Sequence, residues 1–534
     1  MSRLDEDDEK LEEKIDELLD VVKKKGRRGI AKVVYGRAFT TVLLLLIQIA
    51  VLYYSVLKYE RYSAYYYFGF LIISVIVVFA IINEEINPMY KLAWIIPVVA
   101  VPIFGTITYL FVRFQPGPML MRKKLDGLNK KMLPLLRQDE DVKKSLEMDN
   151  KDAFNTARYL NATLNYPVYD NSDVEYFPVG EKMFRKMLLQ LQKAENFIFL
   201  EYFIIEEGIM WDAILEILKK KARKGVEVRI MYDGTCCFKL LPHSYPKTLE
   251  KLGIKAKVFS PPVPILSMHQ NNRDHRKIMV IDGKVAFTGG INLADEYINE
   301  VEKFGHWKDT GIMLKGEAVK TFTCMFLQMW NLNSKSPDTS YERFIKKSSY
   351  GKKGYVIPYG DSPLDKENTG EQVYFDIINQ AKDYVYIMTP YLIVDNEMMM
   401  ALKGAAKRGV DIRIILPHKP DKKFAFNLAR SFYTELLSAG VKIYEYEPGF
   451  VHSKVFISDD EKAVVGTINL DYRSLFLHFE CAVYMYRTEC IADIRKDYDD
   501  TLLKCIPVTK EYYYKLALGK RLAGRIMRLF APLL

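Results

Sequence analysis

His275, Lys277, Asp282, Gly289 and Asn292 make the pattern His-x-Lys-x4-Asp-x6-Gly-x-x-Asn, which recurs with identical spacing at His452, Lys454, Asp459, Gly466 and Asn469. With only 7 histidines in 534 residues, abundance does not explain two of them heading the same pattern. Paired histidines of this kind suit phosphodiester cleavage through a covalent phosphohistidine. One imidazole attacks phosphorus, and the other protonates the departing alkoxide. The two lysines supply fixed positive charge, and Asn292 and Asn469 offer amide donors to phosphate oxygens as charge builds up. Such a reaction needs no metal and no cofactor.

Alternation shows how the chain positions these groups. His275 and Lys277 fall on one face of an apolar run that ends at Ile281, and His452 and Lys454 begin a similar run. Turns at Asp282-Gly283-Lys284 and Asp459-Asp460-Glu461 then send the chain back, so each motif reads as a hairpin whose return strand brings Gly and Asn beside the histidine. Asp282 and Asp459 belong to the catalytic motif, but their place at a strand end fits turn or strand capping better than proton transfer.

The duplication extends upstream. Strand, helix and strand are expected at 196–200, 211–224 and 225–230, and again at 383–388, 397–408 and 409–414. A third strand follows at 252–258 and at 439–444. The expected fold is α/β: two pseudo-twofold-related halves that place both motif hairpins at a shared seam, preceded by an N-terminal helical membrane region.

On the segments Asn272–Lys277, Gly289–Asn292, Gly466–Ser474 and Phe479-Glu480, the sequence resembles the phospholipase D superfamily and, within it, the bacterial cardiolipin synthases. The resemblance runs over roughly residues 90 to 534. It implies phosphatidyl transfer from one phosphatidylglycerol to a second, giving cardiolipin and glycerol. It favours His275 as nucleophile and His452 as acid and base, although two similar hairpins leave these roles interchangeable by sequence. It also implies that Thr467 joins the asparagines on the phosphate, and that an acidic residue downstream of each motif orients that motif's histidine, Glu480 after His452 and Asp309 after His275. Gly290 departs from the family pattern, in which a Ser is common. A phospholipase D-type phosphodiesterase, or a transferase using another acceptor, would carry the same motifs.

Three apolar stretches, 38–57, 62–82 and 92–112, each have about the length needed to cross a bilayer core of ~30 Å. They point to a multi-pass integral membrane protein, and the resemblance implies that the membrane is a bacterial cell membrane. Basic clusters before the first stretch and after the third both favour the cytoplasmic side, which three full crossings cannot satisfy. The six cysteines show no disulfide framework, and this favours a cytoplasmic catalytic region. The chain thus divides into a charged N-terminal helix and basic juxtamembrane run (1–37), a membrane region (38–115), a connecting helical segment (116–165), the two halves (166–340 and 341–505) and a basic amphipathic C-terminal helix (506–534). The net charge of +10 suits anionic lipid. No nucleic-acid partner is expected, and a homo-oligomer is compatible with the pattern.

Overall fold

The computed structural model describes residues 63–533, apart from 115, 262–270, 333, 335, 336, 339 and 516. The first half contains β1 (Ser172–Phe177), β2 (Phe197–Tyr202), β3 (Glu227–Asp233), β4 (Lys255–Phe259), β5 (Arg273–Asp274), β6 (Lys277–Ile281), β7 (Val285–Gly289), β8 (His306–Lys308) and β9 (Gly311–Gly316). The second contains β10 (Tyr355–Asp361), β11 (Tyr384–Met388), β12 (Leu392–Ile393), β13 (Asp411–Pro417), β14 (Lys442–Tyr446), β15 (Gly449–Val451), β16 (Val455–Ser458), β17 (Lys462–Gly466), β18 (Leu470–Asp471), β19 (His478–Tyr486) and β20 (Cys505–Val508).

The two sheets share one plan. The order β1-β9-β7-β6-β2-β3-β4 is repeated as β10-β19-β17-β16-β11-β13-β14, to which β20 adds an edge. In each, three strands run parallel and are joined by helices such as Ile209–Arg223 and Asn396–Lys407, while the motif hairpin pairs antiparallel to the first of them. Strands covered on both faces read as apolar runs, as β6 and β16 do. Faces of both sheets share one core around the helix Val319–Leu332, with Phe199, Ile278, Val280, Ile457, Val465 and Phe479 all buried in it. Separate cores lie behind each sheet.

Both motif hairpins close with two successive left-handed residues, Asp282 and Gly283 at φ 54° and 65°, and Asp459 and Asp460 at 54° and 53°. That backbone matches the twist of the flanking strands in a two-residue turn, and Asp tolerates it better than most residues. The Asp282 carboxylate accepts from the backbone N–H groups of Glu195, Asn196 and Phe197 at 2.7–2.8 Å. Asp459 does the same for Lys382, Asp383 and Tyr384 at 2.9–3.0 Å. These aspartates, grouped above with the catalytic motif, therefore cap the starts of β2 and β11.

Two sequence expectations change at the ends. The stretch 92–112 is not one segment: the chain breaks at Val101 into the helices Pro88–Ala100 and Pro102–Arg113, where Pro102 can start a helix but not continue one. Gly105 lets these helices touch, since a Cβ there would collide with the Pro97 carbonyl. The stretch 62–82 forms the helix Ser63–Ile82, and 38–57 lies outside the described residues. Among the described residues no helix is long and apolar enough to cross a membrane. Phe68, Val75, Ile76, Phe79, Val99 and Phe114 are nonetheless exposed. At the other end, 506–534 is not a single helix: β20 joins the sheet beside β14, and the helices Lys510–Tyr514 and Leu518–Met527 follow. The last packs on Lys423–Ser438 through buried Gly524, leaving Leu518, Leu522 and Ile526 exposed.

Removing three charge-assisted backbone bonds at a buried turn is costly. Asp282→Ala is expected to lower stability by about 2–4 kcal/mol. Asp459→Ala, at a more exposed turn, should cost less, and thermal or denaturant unfolding of the two variants side by side checks the order.

Candidate active site

The halves meet through two short parallel pairings that cross the seam. β5 pairs with β19, Arg273 opposite His478 and Asp274 opposite Phe479, and β8 pairs with β15, Trp307 opposite Phe450 and Lys308 opposite Val451. Each pairing ends at a motif histidine. The His275 N–H donates to Phe479 O at 3.0 Å, and the His452 N–H donates to Lys308 O at 2.7 Å. The residue after each of those carbonyls is the carboxylate, so the backbone register delivers an acid from one half to the histidine of the other.

His275 Nδ1 lies 2.8 and 2.9 Å from the Glu480 oxygens, and His452 Nδ1 lies 2.6 Å from Asp309 Oδ2. The pairing is exchanged relative to the sequence expectation: each acid serves the histidine of the opposite half, not the motif it follows. All four groups are buried. Among the described residues neither Nε2 has a hydrogen-bond partner. A carboxylate on Nδ1 holds the ring proton there and leaves the Nε2 lone pair to react.

The lysines stand beside the histidines. Lys277 Nζ donates to His275 O at 2.5 Å. Lys454 Nζ donates to His452 O and lies 2.9 Å from His452 Nδ1. Burial lowers the Lys277 ammonium to about 8 and Lys454 to about 7, despite carboxylates that favour the charged forms. Burial drives His275 well below its ordinary value against the pull of Glu480, and burial followed by Lys454 takes His452 down to about 4. Both imidazoles are thus neutral near pH 7. An anionic phosphodiester between them offsets the lysines and makes protonating one imidazole easier.

The remaining expected residues divide. The Thr467 hydroxyl donates to Glu480 Oε2, and Ser474 Oγ donates to Oε1, so the single proton of Thr467 is spent on the carboxylate and not on a phosphate. At the equivalent position Gly290 has no side chain, and a Cβ there would collide with the Asp309 carboxylate. The absent hydroxyl is therefore room for an acid. Asn292 donates one amide hydrogen to Tyr297 Oη at 2.7 Å and accepts from the Ile204 N–H at 3.1 Å, leaving its other amide hydrogen for a ligand. The Asn469 N–H donates to Ser474 Oγ at 2.8 Å.

Sequence reasoning missed His478 and the acids behind His275. His478 lies on the Glu480 face of β19, its ring centroid 5.4 Å from that of His275; a two-residue spacing on one strand was the available signal. Trp307 holds the same place relative to Asp309 and stands 5.4 Å from the His452 ring. Behind the site, Asp274 and Glu201 are buried together next to Arg276, whose Nε donates to Glu480 O at 3.2 Å. Burial raises Glu201 well above the carboxylate range and Asp274 to about 7, so the two acids carry less than two negative charges opposite one guanidinium.

Known proteins are similar to this chain. A family model described as "Cardiolipin synthase, PLD-like domain" covers residues 187–330 and 374–502, and one described as "Phospholipase_D-nuclease N-terminal" covers 72–113. Cardiolipin synthase 2 of Bacillus cereus is 36% identical, covering 84% of this chain and 88% of that protein. Cardiolipin synthase of Geobacillus kaustophilus is 35% identical, covering 86% and 92%. Among solved structures, phosphatidylserine synthase from Haemophilus influenzae shares the fold, with a TM-score of 0.54 at 14% identity over 72% of this chain and 98% of that one. Fold and site define a phosphatidyltransferase of phospholipase D type. The chain belongs to the bacterial cardiolipin synthases of the phospholipase D superfamily.

Two outcomes test the geometry. Gly290→Ala should displace Asp309 from His452 and cut turnover, and Asp309→Asn should cut it by about 10³-fold or more while leaving the fold intact by circular dichroism. A lysine with a lowered pKa is cationic below that value and neutral above it. Affinity for a diester that stays monoanionic, such as bis(4-nitrophenyl) phosphate, should therefore fall about tenfold from pH 6.5 to 9 as Lys454 and then Lys277 discharge.

Proposed function

We propose that the enzyme makes cardiolipin by a two-step exchange on the paired histidines. His275 Nε2 attacks the phosphorus of one phosphatidylglycerol, forming a P–N bond as the P–O bond to glycerol breaks, and His452, which takes up a proton at Nε2 when the anionic lipid binds, gives that proton to the departing glycerol oxygen. His452 then removes a proton from the headgroup hydroxyl of a second phosphatidylglycerol. That oxygen attacks phosphorus, the P–N bond breaks, and His275 is restored. The lysines and the free amide hydrogen of Asn292 meet the phosphate oxygens.

The observation that carries this reading is the crossed carboxylate pairing, which fixes both Nδ1 atoms and leaves both Nε2 atoms free in one site. The relatives named as cardiolipin synthases support the choice of lipid. The apolar side chains exposed on the N-terminal helices, together with Leu518, Leu522 and Ile526 beside Lys520, Arg521 and Arg525, support a place at an anionic membrane. We place catalysis on its cytoplasmic side.

Purified enzyme given labelled phosphatidylglycerol without added metal should release cardiolipin and glycerol, and His275→Ala and His452→Ala should each abolish this. Phosphatidic acid as the sole product would make water the acceptor and the enzyme a phospholipase D. His452→Ala denatured at alkaline pH that retains phosphorus label on protein, lost again in acid, would assign His275 as the nucleophile; label on His275→Ala would reverse the roles.

A further inference from the structure

His478 is nine-tenths buried, yet among the described residues neither of its ring nitrogens has a hydrogen-bond partner. Buried polar atoms are nearly always satisfied, so an orphaned imidazole in a native core calls for a partner. Its Nδ1 lies 3.7 Å from Glu480 Oε1, and the same oxygen lies 2.8 Å from His275 Nδ1. One ligand atom from each of His275, His478 and Glu480 falls within 4.8 Å of the other two. With metal–ligand bonds of about 2.0–2.1 Å, the donors of a tetrahedral site stand ~3.3 Å apart, between the separations of 2.8 and 3.7 Å found here.

We propose that His275, His478 and Glu480 form a binding site for a divalent cation of zinc type, and that occupancy inhibits the enzyme. Two imidazoles and one carboxylate make a donor set that zinc prefers over calcium or magnesium, which favour oxygen ligands. Inhibition follows from the tautomer. A metal on His275 Nδ1 takes the place of the proton that Glu480 holds there, the one proton of the neutral ring moves to Nε2, and the lone pair needed to attack phosphorus is gone.

The site is one-sided. Trp307 stands beside His452 and Asp309 where His478 stands beside His275 and Glu480, and an indole nitrogen is a donor only. The metal therefore discriminates between two otherwise similar half-sites, and holds the first. The inhibitory consequence rests on the proposed reaction at His275 Nε2; the binding does not.

Cobalt(II) serves as a coloured substitute for zinc. Titrated into the full-length enzyme in detergent, it should give visible absorption bands of a nitrogen- and oxygen-ligated site at one equivalent, bleached by zinc. In His478→Asn the apparent affinity should weaken by about tenfold or more, while thermal unfolding without metal stays close to wild type. A Trp307→Phe variant should bind cobalt as wild type does. No bands in wild type, or unchanged bands in His478→Asn, overturn the site. Zinc that binds through His478 without slowing turnover leaves the site standing and overturns the inhibition.

Discussion

The two parallel pairings across the seam are what the rest of the active site depends on. A strand pair fixes its register through backbone hydrogen bonds, and a slip by one residue would turn every side chain to the opposite face. Here β5 against β19 and β8 against β15 set His275 on Glu480 and His452 on Asp309. Precision at the reacting nitrogens is thus a property of main-chain geometry, and the side chains inherit it. The core shared by faces of both sheets holds those short pairings in place, since a two- or three-residue strand would not persist alone.

Burial does the electrical work. Taken out of water, the histidines lose their preference for charge and the lysines give up part of theirs. A bound phosphodiester anion supplies what solvent no longer does. The acids are treated differently: Glu480, surrounded by donors from His275, Thr467 and Ser474, stays ionised, while Glu201 and Asp274 behind it share burial with a single arginine.

Much of this was legible in the sequence because the chain is written twice. The repeated motif gave the hairpins, and the strand–helix–strand order upstream of each gave the α/β halves. Asp282 and Asp459 could be read as caps from their place at a turn. The exchange of carboxylates was not legible, because spacing along the chain says which residue follows a motif and nothing of which strand crosses a seam. Thr467 was misread for the same reason: its partner, Glu480, is a neighbour in the sheet. His478 carried a two-residue signal that had no meaning until β19 was seen against β5. The break at Val101 was written in Pro102, but an apolar run of the right length outweighed a single proline.

Each histidine borrows its acid from the other half, so the two copies of the motif are not spare parts for one another. Neither copy can lose its acid while the other keeps working, because each acid serves the other copy's histidine. A change at Thr467 is felt through Glu480 by His275, and a change at Gly290 through Asp309 by His452, each histidine lying far away along the chain. The halves are bound to evolve as one unit, and their lasting resemblance is a debt each owes to the other.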